Sequence, residues 1–298
     1  KLSDREARIT FPRNFVSNQW YHNLGILKIK HISVFDDTES QLEALLEFKP
    51  DIIRCYLSGL YNLAMDIKKK GIKGINPRII IPTAELMSEQ NRQFISSVFK
   101  AEVITYYASN ECGIIAWECK EHYGYHINSD NVIVEFIKED GTNAKAGEEG
   151  EIVITSLNSY TMPFIRYRLG DIGVPSDEKC PCGITLPLMK MVAGRVNDYI
   201  VLPNGKKISP YILMIAMDKI PEVKRYQIIQ EEENKIKINI FQDGTIPAET
   251  ITKIAKIYKE IFREDIATEC IIVNEQPKRV GKFKVIISEI ADKEKQEY

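Results

Sequence analysis

Short apolar runs alternate with amphipathic segments in the first third of the sequence, and this order limits the available folds more than any other feature. Leucines at helical spacing mark a helix over Thr38 to Phe48, and Asp51 to Tyr56 follows as a buried strand. The alternation continues with a helix over 60–70 that Gly71 ends, a strand over 78–81, a helix after the cap Ser88 and a strand over 103–107. The sequence therefore predicts a parallel α/β sheet, whose ligands lie beyond the carboxyl ends of its strands.

The pattern changes after Glu111. Val132 to Ile137 and Glu151 to Thr155 are strand-like, and a turn-rich stretch over 139–143 lies between them. Consecutive strands joined by turns pair antiparallel, so we expect an antiparallel β subdomain here.

A third pattern begins near Val196. In this carboxyl-terminal tail, residues 224–230 and 235–241 are predicted to form a hairpin. A helix is predicted over 248–263 and a strand over 269–273. Because a single core usually stops growing near the length of this chain, 298 residues, we expect one large domain and one small one. The predicted domains are residues 1–196 and 197–298.

Charge and hydropathy exclude several classes of protein. The chain has 40 Lys and Arg against 42 Asp and Glu, a formal balance of −2, which argues against a protein held to nucleic acid by bulk charge. The longest apolar run, Tyr211 to Met217, is far shorter than the roughly 20 residues that span a bilayer. The charged amino end has no signal-peptide core, so we expect a cytoplasmic protein with neither nucleic acid nor a membrane as partner.

Six cysteines are too few for a disulfide scaffold in a chain of 298 residues, and a cytoplasmic protein keeps its thiols reduced. Cys180 and Cys182 form a C-x-C turn, and Cys119 with His122 is a second close pair. Soft metal ligands are usually spaced in this way, so both pairs are candidate ligands.

Two segments place reactive side chains at turns. Tyr107 lies on a strand that runs into a small polar turn and then Glu111. An aromatic ring there can stack on a flat ligand, and a carboxylate can hold a hard cation. Asp171 follows Gly170, which suits a carboxylate that accepts two hydrogen bonds from ribose hydroxyls. A solvated glutamate at an ordinary strand end and a turn with a surface ion pair are the alternatives.

Two further segments lie nearer the carboxyl end. Residues 194–200 contain Arg195 and lie at the expected domain junction, where a few residues can absorb a large dihedral change. Residues 277–284 carry four cations in eight positions, among them Lys282 after Gly281. A lysine in a mobile loop can reach a phosphate, and a solvated charged tail is the alternative.

The order of these segments resembles that of the adenylate-forming enzymes, most closely the branch of phenylacetate–CoA ligase and the CapK-like proteins. The motifs that carry the resemblance are Tyr107-Ala108-Ser109-Asn110-Glu111, the stretch 147–155 leading to 163–171, Gly194-Arg195-Val196-Asn197-Asp198 and Gly281-Lys282. The resemblance covers essentially the whole chain. It implies an α/β fold with a parallel α/β sheet subdomain, an antiparallel β subdomain and a small, mobile α+β carboxyl-terminal domain.

The resemblance also implies an ATP-dependent reaction. In this family a carboxylate attacks the α-phosphate of ATP, which gives an acyl-adenylate and pyrophosphate, and in many members a thiol such as coenzyme A then displaces AMP. Tyr107 would pack on adenine, Asp171 would bind the ribose hydroxyls, and Glu111 would coordinate Mg²⁺. Arg195 would contact the nucleotide, and Lys282 would bridge the substrate carboxylate and the α-phosphate.

Other site residues follow from the same likeness. Ala84 and Glu85 lie in a segment that resembles the loop lining the acyl and adenine pocket, with a plain strand-to-helix connection as the alternative. Asn110 stands where relatives usually carry Thr or Ser, at a position that contacts phosphate. The hinge would be Asn197, where relatives often have Asp, or the next residue, Asp198.

The sequence contains no Ser/Thr/Gly-rich phosphate loop. Because relatives carry that loop upstream of the region where this chain begins, we expect an amino-terminally truncated piece of a longer enzyme. The leading expectation is an AMP-forming acid–CoA ligase, with an aryl acid favoured by the resemblance alone. A CapK-like enzyme with a non-CoA acceptor and a non-catalytic nucleotide-binding module are the alternatives, and a homodimer stays open.

The family order also bears on the two cysteine pairs. Cys119 and His122 would follow a helix expected at Glu111, and Cys180 and Cys182 would follow the strand that contains Asp171. Both pairs could then meet beside the antiparallel subdomain. Three thiolates and one imidazole make a closed tetrahedral zinc site. The expected ligands are Cys119, His122, Cys180 and Cys182, with His126 as the substitute for His122. Reduced, partly buried cysteines beside an unrelated histidine are the alternative.

Overall fold

The computed structural model describes residues 1–16, 19–195, 199–241, 246–262, 266–273 and 283–290, and of residues 23, 191–195 and 211 it describes the backbone alone. The chain divides into two compact units. The first contains Lys1–Thr105, and Tyr106 begins the second.

The first unit is built on a five-stranded parallel sheet. Its strands are β1 (Arg5–Thr10), β2 (Lys28–Ser33), β3 (Ile52–Tyr56), β4 (Ile79–Thr83) and β5 (Glu102–Val103). They lie in the order β2-β1-β3-β4-β5, and each neighbouring pair runs parallel. The helices are α1 (Trp20–Asn23), α2 (Thr38–Phe48), α3 (Leu57–Lys70) and α4 (Glu89–Phe99), with a 3-10 turn at Pro12–Asn14. The predicted parallel α/β arrangement is confirmed.

The ends of these helices follow from local chemistry. α2 begins where the Asp37 carboxylate accepts a hydrogen bond from the Ser40 amide at 2.9 Å. Ser88 begins α4 in the same way, because its Oγ accepts the Asn91 amide at 3.2 Å. Gly71, with φ of 64°, ends α3 as predicted.

The core of the first unit lies between the sheet and its helices. Ile53 of β3 is fully buried with Leu45 of α2, Leu60 of α3 and Ile95 of α4. Burying an aliphatic side chain of this size stabilises the fold by about 1.5–3 kcal/mol. This packing fixes the carboxyl ends of β3 and β4, and the loop that follows β4 contains Glu85.

One predicted strand is two strands. The single strand expected over 103–107 is wrong, because β5 ends at Val103 and β6 (Tyr106–Ser109) joins a different sheet. Beyond β5 the Ile104 amide still bonds to the Ile80 carbonyl at 3.0 Å, and the chain then passes into the second unit.

The second unit contains a seven-stranded sheet. After β6 its strands are β7 (Gly113–Glu118), β8 (Tyr125–Ile127), β9 (Val132–Ile137), β10 (Gly150–Ser156), β11 (Tyr167–Ser176) and β12 (Leu188–Arg195). They lie in the order β6-β7-β8-β12-β11-β10-β9, and neighbouring pairs run antiparallel. The predicted antiparallel subdomain is confirmed, and β9 has the predicted bounds.

The helix expected at Glu111 does not form. Asn110, Glu111 and Cys112 make the tight turn between β6 and β7, and Gly113 follows with φ of 71°. A glycine at positive φ suits a hairpin turn, so the chain reverses here instead of entering a helix.

The described part of the tail contains a four-stranded sheet, a two-stranded sheet and helices. Its elements are β13 (Ile200–Val201), β14 (Lys207–Ile208), α5 (Pro210–Asp218), β15 (Tyr226–Glu232), β16 (Lys235–Phe241), α6 (Ala248–Phe262), β17 (Ala267–Val273) and β18 (Ile286–Ser288). The larger sheet has the order β17-β16-β15-β18. The predicted hairpin is β15 and β16, and α6 begins at the predicted Ala248; its predicted last residue, Arg263, lies outside the described residues.

The domain boundary predicted between Val196 and Asn197 falls outside the described ranges, so it stays a prediction. Within those ranges, none of the helices has the length and apolar character that crossing a lipid bilayer requires.

Candidate functional site

Two of the predicted nucleotide-binding residues meet in the second unit. The hydroxyl of Tyr107, on β6, donates a hydrogen bond of 2.7 Å to Oδ2 of Asp171, on β11. Both residues are half-buried. The contact holds a phenol ring beside a carboxylate, whose two oxygens offer about four acceptor positions. A stacking surface next to a hydroxyl acceptor is an arrangement that suits a nucleoside.

The backbone around Asp171 determines how its carboxylate is presented. Gly170 precedes it with φ of 73°, a conformation that glycine adopts without strain. The pairing of β11 with β12 shifts register between Asp171 and Gly173, and a bulge of this kind redirects a side chain relative to its sheet. Arg195 lies opposite Asp171 in the same pairing, and its side chain is outside the described part of the chain.

Glu111 is half-buried in the β6–β7 turn, and Asn110 beside it is exposed. The Oγ of Ser109 accepts the Cys112 amide at 3.4 Å and closes this turn. Burial raises the pKa of the Cys112 thiol, so that thiol is protonated at neutral pH. Mg²⁺ takes one or two protein carboxylates and completes its shell with water and phosphate oxygens, so Glu111 is a ligand of the right type and its magnesium role stays a prediction.

The two arginines before Asp171 form ion pairs with neighbouring strands. Arg166, which has φ of 48°, places Nε 3.1 Å from Oε2 of Glu135. Arg168 pairs with Glu151. Both arginines are exposed, so these pairs contribute little to stability. Surface ion pairs, the alternative to a ribose-binding turn, are therefore present before Asp171. Asp171 itself contacts Tyr107.

Ala84 and Glu85 lie in the first unit, in the loop after β4. Ala84 is exposed and has φ of 67°, which is uncommon for a residue with a Cβ. The Glu85 carboxylate accepts hydrogen bonds from the Ser58 amide at 2.9 Å and the Ser58 hydroxyl at 2.8 Å. Glu85 thus caps the amino end of α3, which explains why that helix begins at Leu57 instead of the predicted Leu60.

A group of sulfur and nitrogen ligands lies elsewhere in the second unit. Ligand atoms of Cys119, His126, Cys180 and Cys182 all lie within 4.8 Å of one another. The Sγ atoms of Cys119 and Cys180 are 3.5 Å apart, and Nε2 of His126 is 3.4 Å from Sγ of Cys182. The expected ligand His122 is not a member, and its substitute His126 takes the place.

Strand pairing explains this correction. His126 lies opposite Trp117 across the β7–β8 hairpin, and Trp117 shares a strand face with Cys119 because side chains alternate along a strand. His122 belongs to the turn between those strands, with φ of 48°, and its Nδ1 lies 3.7 Å from Oε2 of Glu118.

Burial and local hydrogen bonds set the protonation of this cluster. Burial raises the pKa of Cys180 to about 11. The pKa of Cys182 is lowered, because the Ile184 amide donates to its sulfur at 3.4 Å. Burial lowers the pKa of His126 and keeps its ring neutral at pH 7.

Two contacts that the sequence did not indicate join the start of the tail to the β9–β10 connection. The Tyr199 hydroxyl donates to Oε2 of Glu149 at 3.0 Å, and Nζ of Lys207 donates to Oε1 of Glu139 at 2.7 Å. Burial and the Glu149 charge raise the pKa of Tyr199. Partners 50 and 68 positions apart leave no local pattern by which the sequence could have marked them.

Three predicted site residues, Lys282, Asn197 and Asp198, lie outside the described residues. Their roles stay predictions, as does the role of the Arg195 side chain.

Comparisons with known proteins found a carboxyl-terminal family model, curated relatives and solved structures that this chain resembles. A family model described as the CapK C-terminal domain matches residues 200–289. The phenylacetate–coenzyme A ligase of Thermus thermophilus is 28% identical over 212 residues, which are 67% of this chain and 46% of that protein. Protein CapK of Staphylococcus aureus is 25% identical over 251 residues, which are 82% of this chain and 54% of that protein. The chain spans about half the length of the curated relatives it matches.

A solved structure shares the fold. The structure of 2-hydroxyisobutyryl-CoA ligase in the postadenylation state, in complex with R3-HIB-AMP, aligns with a TM-score of 0.75 at 16% identity. The alignment covers 99% of this chain and 68% of that one. At this identity the likeness establishes the fold alone, and it confirms the predicted fold class.

Proposed function

We propose that this chain, which is similar to the phenylacetate–CoA ligases and to CapK, is an adenylate-forming enzyme that activates a carboxylic acid with ATP and transfers the acyl group to coenzyme A. The observation that carries the proposal is the hydrogen bond of 2.7 Å between Tyr107 and Asp171. It joins two separate motif segments whose family roles are to hold adenine and ribose.

The first half-reaction forms the acyl-adenylate. A carboxylate oxygen of the acid attacks the α-phosphorus of ATP, the bond to the bridging oxygen of the β-phosphate breaks, and pyrophosphate leaves. Tyr107 packs on the adenine, and Asp171 accepts hydrogen bonds from the ribose hydroxyls. Lys282 bridges the attacking carboxylate and the α-phosphate, where a compact ammonium offsets the negative charge that gathers in the transition state.

Glu111 is the residue proposed to hold Mg²⁺, which neutralises phosphate charge when it is bound. Asn110 contacts the phosphates from the same turn, and Arg195 contacts the nucleotide. Ala84 and Glu85 line the acyl and adenine pocket. Within the first unit, the hydrogen bonds from Ser58 hold the Glu85 side chain in place in that loop.

The second half-reaction transfers the acyl group. The thiolate of coenzyme A attacks the acyl carbonyl carbon, the bond between that carbon and the phosphate oxygen breaks, and AMP leaves. The small domain, residues 197–298, rotates about Asn197 or Asp198 between the two steps, so that Lys282 withdraws and the Gly205 to Pro210 side faces the thiol. A carboxyl-terminal family model that begins at residue 200 supports a domain boundary at this place.

A second candidate function keeps the adenylation step and changes the acceptor. The model that matches residues 200–289 is the CapK C-terminal domain, and CapK itself is among the relatives. We infer that the acceptor would then be a sugar, a cofactor or a carrier protein in place of coenzyme A.

The test uses the complete gene product and measures acid-dependent pyrophosphate release over a panel of carboxylic acids. We expect release with one class of acid, and discharge of the resulting adenylate by coenzyme A. Discharge by an amine or a hydroxyl acceptor alone would favour the CapK-like function. Binding of AMP in calorimetry without pyrophosphate release for any acid would indicate a non-catalytic nucleotide-binding module and contradict both.

A further inference from the structure

Three cysteines and one histidine converge on a single point of the antiparallel sheet. Cys119 follows β7, His126 lies on β8, and Cys180 and Cys182 lie in the connection from β11 to β12. We propose that these four residues bind one zinc ion through three thiolates and Nε2 of the imidazole, in a structural site separate from the proposed reaction.

The distances within the cluster fit a tetrahedral ion. Zinc bonds of about 2.3 Å to sulfur and about 2.0–2.1 Å to nitrogen imply ligand separations of roughly 3.8 Å between sulfurs and 3.6 Å between sulfur and nitrogen. The Sγ atoms of Cys119 and Cys180 are 3.5 Å apart, and Nε2 of His126 is 3.4 Å from Sγ of Cys182. The two sulfurs are far beyond the roughly 2.05 Å of a disulfide bond.

The surroundings of His126 favour a metal ion bound to its imidazole. Its side chain is fully buried, and Nε2 is the ring nitrogen that faces the sulfurs. Its Nδ1 is buried with no hydrogen-bond partner among the described residues. Nε2 is therefore the ring nitrogen that can bind an ion among the sulfurs, and such a bond would replace the hydration that Nε2 lost on burial, while Nδ1 would keep its proton. The Trp117 ring, with its centroid 5.0 Å from that of the imidazole, fixes the plane of the ring.

The Cys180-Pro181-Cys182 turn is shaped to present two thiolates. Gly183 has φ of 83°, and its amide bonds to the Cys180 carbonyl at 3.2 Å. The Ile184 amide donates to the Cys182 sulfur at 3.4 Å. A backbone N–H aimed at sulfur stabilises the thiolate form, which is the form that binds metal.

The site would reinforce the narrowest junction of the sheet. Among the described residues, β8 pairs with β12 only through His126 with Leu188 and Tyr125 with Met189. The proposed ion joins His126 on β8 to the cysteines just before β12, and to Cys119 at the end of β7. Four protein ligands leave no open position, so the site is closed and structural.

The test is elemental analysis of the complete gene product, purified without added metal. We expect one zinc ion per chain in the unmodified protein. His126→Ala should lose the ion, and His126→Cys, which restores a ligand, should retain it. Two matched controls, His122→Asn and Cys270→Ser, remove the nearest other histidine and a cysteine outside the cluster, and both should keep the full zinc content.

A second measurement covers the case in which His126→Ala fails to fold. Replacing the metal of the unmodified protein with Co²⁺ should give the charge-transfer and d–d absorption of a tetrahedral thiolate site. Protein that folds without zinc and takes up no cobalt would overturn the proposal. A disulfide between Cys119 and Cys180 in the native protein would overturn it as well, and so would loss of zinc in His122→Asn with retention in His126→Ala.

Discussion

The hydroxyl of Tyr107 donates a hydrogen bond of 2.7 Å to the carboxylate of Asp171, 64 positions later in the chain. The contact joins the first strand of the antiparallel sheet to a strand four places away in the sheet order. Both groups are therefore held in position by the protein itself, which would lower the entropy cost of binding the proposed nucleotide against them.

Asp171→Asn tests the carboxylate. The substitution keeps the size of the side chain and removes its charge, and hydrogen bonds to a charged group contribute about 1.5–3 kcal/mol. We expect the affinity for AMP to fall about 10-fold to 100-fold in calorimetry. Asp177→Asn is the matched control, since Asp177 is exposed just beyond the same strand. Equal losses in the two variants would contradict a ribose role for Asp171.

Tyr107→Phe separates the ring from its hydroxyl. The ring that would pack on adenine remains, while the bond to Asp171 is lost, at a cost of about 1 kcal/mol in the free energy of unfolding. Tyr107→Phe should lose less AMP affinity than Asp171→Asn. Tyr107→Leu, which also removes the ring, should lose more AMP affinity than Tyr107→Phe. Urea unfolding and calorimetry of the three variants check this order, and a Tyr107→Leu protein that binds AMP normally would exclude the stacking role.

The Glu85 cap of α3 gives a stability prediction. Glu85→Ala removes the acceptor of both Ser58 bonds and should lower the free energy of unfolding by about 0.5–2 kcal/mol. Ser58→Ala removes one of these bonds and should cost less. Because the residues share their contact, the double variant should be little worse than Glu85→Ala. Additive losses, or an equal loss in the exposed control Glu43→Ala, would count against the cap.

The interactions of Glu6 with Arg8 and Arg54 should make the free energy of unfolding depend on pH. Burial raises the pKa of its carboxyl, but hydrogen bonds and charges from Arg8 and Arg54 outweigh burial and hold that pKa below its usual value. The stabilisation is therefore complete above the unfolded pKa of about 4.3 and is lost as the pH falls through the lower folded pKa. Urea unfolding from about pH 7 down to about pH 3 should show a shallower acid dependence for Glu6→Gln than for the exposed control Glu102→Gln.

Sequence patterns predicted the elements whose signals are local. α2 has its predicted bounds, Thr38–Phe48, because both the leucine spacing and the cap at Asp37 lie within the segment itself. β9 has its predicted bounds for a similar reason, since a mostly apolar run and the turn residues after it define it. The family resemblance implied the roles of Tyr107 on adenine and Asp171 on the ribose, which no local pattern contains.

Where contacts cross between strands, local patterns were insufficient. The spacing of Cys119 and His122 indicated a ligand pair, but the intervening turn reverses the chain and brings His126 to the cysteines instead. Predicting residues 113–127 as a hairpin, with alternate side chains on one face, could have identified His126 as the ligand. Nothing local could have shown that Glu85 caps a helix 27 positions earlier.

The proposed formation of an acyl-adenylate is tested by measuring the two half-reactions separately in Lys282→Ala. In the complete gene product we expect this variant to lose acid-dependent pyrophosphate release while it still converts preformed acyl-adenylate and coenzyme A to thioester and AMP. Equal loss of both half-reactions would contradict the role of Lys282 in adenylation. Pyrophosphate release that does not depend on any carboxylic acid in the unmodified protein would contradict the proposed formation of an acyl-adenylate.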